Sequence, residues 1–266
     1  MRSVMPVAVL LLIPSAWTTL VADGNDKQTV RSWRSLPLIK DGKVDPNWAQ
    51  IGWGGFVVDN GSLRTECDER GMGLLVYEKE RFGNCQIRVV YRCKHSKANS
   101  GVFVRIDAGT LERVHDKPPA IRRNKDGGLS NAALKKLMAA SEHEQGPWYA
   151  VHHGYEVQIC DDSDEYHRTG GIYSLTKAAS LPKNRAADWR TMVITLKGNL
   201  VRVDIDGKRI ATFDPDSKEV PRDREWYEPK REPKRPRSGY IGLQNHDPGD
   251  IVYFKEVSVR PLDGTP

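Results

Sequence analysis

The feature that most constrains this chain is a period-two alternation of apolar and polar residues, repeated in many short segments. C-Q-I-R-V-V-Y-R-C (85–93) alternates over nine residues, and Val102, Val104 and Ile106 alternate with Phe103, Arg105 and Asp107. Successive side chains of a strand point to opposite faces, so the pattern reads as strands with one face in a core. Similar runs fall at 55–59, 63–66, 73–77, 155–160, 171–175, 191–197, 200–204, 209–213, 239–244 and 252–260. Asn60-Gly61 and Asp206-Gly207 are two-residue hairpin signals between such runs. Many short strands with almost no helical pattern predict an all-β fold of two packed antiparallel sheets.

Two segments interrupt the rhythm. Residues 108–146 read as an insertion holding one short surface helix, Asn131–Ala140, with Ser130 as its N-cap. Residues 214–237 are rich in proline and charge and read as a second inserted loop. No internal repeat or linker divides the rest. The expected organisation is a signal peptide (1–22), an N-terminal extension (23–50) and one domain (51–263).

The leader reading rests on Arg2, the apolar run Val7–Ile13 and the small-residue site Leu20-Val21-Ala22. That run is too short to span a bilayer. The expectation is an exported chain, periplasmic or extracellular, without stable membrane insertion. Export permits disulfides. Cys85 and Cys93 on one extended strand would sit about 26 Å apart and cannot pair. They read as buried free thiols, and Cys67 with Cys160 stays an open pairing. The formal net charge is +6, with basic excess in 113–136 and 222–237. Such clusters can bind nucleic acid. No nucleic-acid motif accompanies them, so solvated insertion loops are the reading taken.

Parity then sorts the polar residues. In 155–160, Tyr155, Val157 and Ile159 go inward while Glu156, Gln158 and Cys160 go outward. In 101–107 Arg105 takes the outward parity. In 239–246 Ile241 and Leu243 go inward, and Tyr240, Gln244 and His246 go outward. Amides, a carboxylate, a guanidinium and an aromatic ring together suit sugar hydroxyls.

Several long runs, in order, resemble the 3-keto-disaccharide hydrolase family. They are N-S-G-V-F-V-R-I (99–106), W-Y-A-V-H-H-G-Y-E-V-Q-I-C-D (148–161), E-Y-H-R-T-G-G-I-Y-S-L (165–175) and S-G-Y-I-G-L-Q-N-H-D (238–247), joined by weaker runs at 54–63, 71–77 and 252–262. The resemblance implies a concanavalin-like jelly-roll sandwich with a carbohydrate site on its concave sheet. It also implies cleavage of glycosides whose sugar carries a ketone at C3. The family's polar positions fall on Asn99, Arg105, Glu156, Gln158, Asp161, Tyr173, Gln244 and His246. The segment between Ile106 and Trp148 looks longer than is usual for the family, and the 214–237 loop is long and charged; both are placed to reshape the mouth of a site. Arg190 stands where relatives often carry Asn.

A C3 ketone acidifies the C2 proton, so a base, an oxyanion donor and an acid are needed. Glu156 or His246 is the candidate base, and Arg105 or Gln158 the oxyanion donor. Tyr173, His167 or His153 is the candidate acid. Gln158, Gln244, Asn99, Asp161, His153 and His167 are candidate substrate-binding residues. A two-carboxylate glycosidase pairing Glu156 with Asp161 or Asp162 ranks lower, because these lie on one strand and its following loop. A divalent metal ion is an open cofactor option, with His152, His153, Glu156, His167 and His246 as available ligands. No spacing among them is a metal signature. The acidic run 161–165 lacks the EF-hand pattern and reads as a solvated turn. The expected partner is an oxidised (3-keto) oligosaccharide or glycoside. The competing reading is a non-catalytic carbohydrate-binding module or lectin.

Overall fold

A computed structural model describes residues 32–121, 123–126, 128–179, 187–218 and 221–262. The expected signal peptide lies outside these residues. In chain order the strands are β1 (Arg34–Ser35), β2 (Ile39–Lys40), β3 (Lys43–Val44), β4 (Trp48–Gly52), β5 (Gly55–Asp59) and β6 (Ser62–Glu66). They continue with β7 (Gly73–Phe82), β8 (Cys85–Cys93), β9 (Ser100–Ile106) and β10 (Tyr155–Ile159). The last are β11 (Arg190–Lys197), β12 (Leu200–Ile205), β13 (Lys208–Phe213), β14 (Gly239–Asn245) and β15 (Val252–Pro261).

Eight strands form one sheet, in the order β13-β12-β11-β8-β15-β6-β5 with β1 beside β15. Five form the other, in the order β10-β9-β14-β7-β4, and β2 pairs with β3 in a small ribbon. Every β8, β9, β10, β14 and β15 pairing is antiparallel, so the fold is the expected jelly-roll sandwich. The two hairpin signals are realised. Asn60 and Gly61, and likewise Asp206 and Gly207, all have positive φ, as the tight hairpin turn requires. Residues 34–50, expected as an extension, instead supply β1 to the large sheet and β4 to the small one.

The two sheets differ in what covers their outer faces. In β8 burial alternates residue by residue, because its outer face meets solvent. Its Ile87, Val89 and Tyr91 pack with Ile194, Val257, Val102, Val104, Val157 and Leu243 in the core between the sheets. β9 and β10 are buried on both faces. A second apolar cluster explains this: Ile51, Leu74, Val76, Phe103 and Ile106 of the small sheet pack beneath Ala140, Trp148, Ala150 and Val151.

Those last residues belong to helices of the segment between β9 and β10. The 108–146 insertion carries a 3-10 turn (Ala108–Arg113) besides the expected helix, α1 (Asn131–Glu142), and a further helix, α2 (Pro147–His153), follows it. Ser130 caps α1 by accepting from the Ala133 amide at 3.1 Å. α2 escapes sequence reading because it is short, starts at Pro147 and runs directly into β10. Among the described residues no helix is long and apolar enough to cross a membrane.

The basic segment 222–237 is not a solvated loop throughout. Arg235 is buried and donates to the carbonyls of Gly154, Lys230, Arg231 and Pro233, so it pins the loop to the start of β10. All four cysteines are free thiols, with Cys85 and Cys93 buried as expected. The open Cys67–Cys160 pairing is not formed.

Candidate functional site

A cavity of about 410 Å³ opens on the outer face of the five-stranded sheet. Its floor holds Glu156 and Gln158 of β10, Asn99 just before β9, Gln244 of β14, and His246 just after it. Parity places them. Glu156 and Gln158 pair across to Phe103 and Gly101, and Val157 between them turns into the core. Gly101 makes room for the acid: a Cβ there would lie 2.4 Å from Glu156 Oε1. Tyr173 enters from the following loop, and its amide donates to the Glu156 carbonyl at 2.8 Å.

Two titratable groups on this floor are displaced in ways that matter. Burial pushes the Glu156 carboxyl up to about 8, offset only in part by the charge of His246. Among the described residues nothing donates a hydrogen bond to that carboxyl, so the His246 charge is all that opposes its desolvation. For His246, burial disfavours the cation, yet the Asp250 hydrogen bond and the charges of Asp247, Asp250 and Glu156 carry it above its ordinary value. His246 Nδ1 lies 3.1 Å from Asp250 Oδ2. Asp250 is itself held by the amides of Asn99 and Asp247 at 3.0 and 3.1 Å. Burial, and then the Glu156 charge, push the Tyr173 phenol well above its usual range. Gln158 Nε2 donates to Asn99 Oδ1 at 3.1 Å. Among the described residues the buried Oε1 atoms of Gln158 and Gln244 have no hydrogen-bond partner and are placed to accept from a ligand.

Four expected site residues lie elsewhere. Arg105 does not line the cavity. It adopts φ +55° at a β-bulge where β9 and β14 lose register, which turns its side chain off the site face. Its Nη2 donates to the Gly198 carbonyl, in a small pocket beside Tyr155 and Arg235. The same bulge moves Ile106 out of the main core into the cluster under the helices. His153 sits on α2, stacked on Tyr149 at 4.1 Å with Nε2 2.9 Å from Glu144. Asp161 accepts from Thr169 Oγ1 and faces the buried Arg190, so it anchors its loop. His167 has both ring nitrogens occupied, Nδ1 by Asp164 at 2.6 Å and Nε2 by Glu228 at 2.7 Å. It backs Tyr173, with ring centroids 5.1 Å apart.

Much of the rest of the cavity comes from the insertions and α2, which alternation along the chain does not mark. Ile121, Leu129, Leu134 and Leu137 come from the first insertion, Trp148 and Val151 from α2, and Trp226 and Tyr227 from the second. The same holds for Glu228. Its buried carboxylate accepts from Ser174 Oγ at 2.8 Å and from Arg222 Nη2 at 2.6 Å, besides facing His167. Burial would raise this acid, but those hydrogen bonds and the Arg222 charge hold it below its ordinary value. It ties the loop after β10 to the loop carrying Trp226. A lone Glu in a proline-rich charged segment gives no periodic signal, so nothing in the sequence singles it out.

The metal ligands suggested by sequence do not converge. His152 faces Ser141, and His153 and His167 are engaged as described. Among the described residues one group brings ligand atoms within 4.8 Å of one another: His246, Asp247 and Asp250. These are the residues that would hold a divalent ion. Asp247, however, is ion-paired with Arg123 at 2.5 Å, and Asp250 is occupied by its amide and imidazole donors. A protein cation and protein donors thus already fill these carboxylates.

No curated protein matches the chain. Among solved structures, a candidate glycosyl hydrolase from Parabacteroides distasonis ATCC 8503 aligns with TM-score 0.54 at 18% identity, covering 87% of this chain and 100% of that one. A second from the same organism aligns with TM-score 0.55 at 17% identity, covering 84% and 91%. At such identities the likeness shows the shared fold. Residues 17–260 match the 3-keto-alpha-glucoside-1,2-lyase-like domain. The chain therefore belongs to the 3-keto-disaccharide hydrolase family, a carbohydrate-active, glycosyl hydrolase-like group.

Proposed function

We propose that this chain is an exported enzyme that cleaves glycosides carrying a ketone at C3, by elimination across C1 and C2 followed by hydration. The observation that carries the reading is the pairing on one cavity floor of a buried carboxyl, Glu156, which burial raises to about 8, with an imidazole backed by a carboxylate, His246. Environments that separate two titratable groups this way divide acid and base roles between them.

His246 is the base. Asp250 holds Nδ1–H and leaves Nε2 as the free basic nitrogen, the orienting logic of a carboxylate behind a catalytic imidazole. It takes the C2 proton, and the electron pair moves onto the C3 oxygen as an enolate. The Tyr173 hydroxyl, firmly protonated, donates to that oxygen. The enolate then collapses, forming a C1–C2 double bond as the C1–O bond breaks. Glu156, protonated below about pH 8, gives its proton to the departing oxygen. Glu156, now a carboxylate, takes a proton from water as its oxygen adds to C1 of the resulting enone, and His246, its proton exchanged with solvent, delivers one to C2. The product is the free 3-keto sugar. Gln158 and Gln244 accept hydrogen bonds from the sugar hydroxyls through their unpartnered oxygens.

This assignment requires one proton shared between Glu156 and His246. Activity is therefore expected in a bell. Its acid limb is set by His246 above its ordinary value, and its alkaline limb by Glu156 near 8. The test is turnover of a 3-keto-glucoside in deuterated water. Deuterium at C2 of the released sugar is expected. Turnover without C2 deuterium would overturn elimination in favour of direct displacement, and tight sugar binding without any turnover would favour a lectin.

A further inference from the structure

We infer that the natural substrate carries an apolar, ring-containing aglycone rather than a second sugar. The inference rests on the reading of the cavity as a glycoside-cleaving site. The two sides of that cavity differ in chemistry. The sheet supplies the polar set, Glu156, Gln158, Asn99, Gln244 and His246, enough to bind one oxidised sugar ring. The insertions and α2 supply a mostly apolar wall, Ile121, Leu134, Leu137, Val151, Trp148 and Trp226, to which Tyr227 adds a phenol and Arg123 a guanidinium.

On this side Leu134 is exposed, Leu137 and Trp226 are half-buried, and Ile121, Val151 and Trp148 are buried. Among the described residues only Leu134, Met138 and Trp189 are exposed large hydrophobics, and two of these lie on α1, with Leu134 facing the cavity. Trp148 and Trp226 stand with ring centroids 6.2 Å apart and tilted by 39°. A second sugar would bring several hydroxyls against this wall, each losing water without regaining a partner. An aromatic or alicyclic ring would instead cover apolar area at no such cost. Of the remaining polar lining groups, Arg123 and Asp247 are paired with each other, which leaves Glu69 and the Tyr227 phenol against six apolar side chains.

The test separates binding from chemistry. Calorimetry would compare methyl, benzyl, cyclohexylmethyl and glucosyl D-glucosides as both anomers, unoxidised and therefore inert. The corresponding 3-keto compounds would be assayed for turnover. Benzyl and cyclohexylmethyl alcohols are poorer leaving groups than a sugar hydroxyl, so faster turnover of their 3-keto glycosides would not arise from leaving-group ability. The benzyl and cyclohexylmethyl compounds are expected to bind about tenfold or more tighter than the glucosyl ones, the worth of burying one apolar ring. Leu134→Asn and Trp226→Ala are expected to erase most of that margin while leaving methyl-glucoside binding within about twofold. Glucosyl compounds binding as well as or better than benzyl, or no measurable binding by any, would overturn the inference. A clear benzyl preference with no turnover of any 3-keto compound would overturn the proposed reaction and leave the aglycone inference standing.

Discussion

The floor of the cavity is sheet, and its residues come from strands whose backbones are locked into antiparallel ladders. The walls opposite are insertion, held by helix packing and by buried polar ties such as Arg235 on Gly154 and Glu228 on Ser174, Arg222 and His167. The floor carries the titratable groups, and the walls carry the aromatic and aliphatic side chains. A rigid sheet suits acid and base groups, whose effect depends on position to within a fraction of an ångström. Apolar contact tolerates looser placement, since it scales with covered area rather than with direction. Changes to the floor should therefore cost chemistry and spare the fold, while changes to the wall ties should do the reverse.

The largest effect belongs to the floor. His246→Ala is expected to lower kcat on a 3-keto-glucoside by about 10²–10⁴-fold, the usual worth of a positioned base. Its melting temperature should stay near that of the parent, and loss of fold in this variant would break the comparison. Glu228→Ala tests the walls. Removing one partner of a buried charge network costs about 3–5 kcal/mol, so a clear fall in denaturation midpoint is expected. Its residual activity should show a raised KM with kcat largely kept. A collapse of kcat alone would place Glu228 in the chemistry instead.

The smallest effect concerns stability and pH. Glu156 has a folded-state value near 8, above the ordinary 4.5. The folded chain thus binds more protons than the unfolded chain between these values. Its contribution to stability is fully present below pH 4.5 and is lost as pH rises through 8. Glu156→Gln does not titrate. Its melting temperature should match the parent near pH 4 and exceed it progressively up to pH 8–9. A constant difference across that range would show that burial does not raise this acid.

Alternation alone makes much of the floor legible in the sequence. Parity puts Glu156, Gln158, Gln244 and His246 on one face, because a strand's side chains repeat every two residues wherever the backbone stays extended. Arg105 shows the limit of that argument. It sits in the same kind of pattern, yet one residue at φ +55° reverses the face of everything beyond it. Nothing local in V-F-V-R-I announces the bulge, which answers to the register between β9 and β14. His153 and His167 leave the site for a related reason. Both are polar residues in a site-rich stretch, and their rings are claimed by Glu144, Asp164 and Glu228, partners that only folding brings near.

By itself, then, the order of residues determined two antiparallel sheets, the hairpins at Asn60-Gly61 and Asp206-Gly207, and the inward and outward faces of β10 and β14. These follow from local dihedral preferences and a short period. Only the tertiary structure decided which polar residues meet in the cavity, that both insertions wall it, and that Glu156 is buried enough to hold its proton near neutral pH. Those outcomes depend on contacts between segments far apart in the chain, where neither propensity nor period carries information.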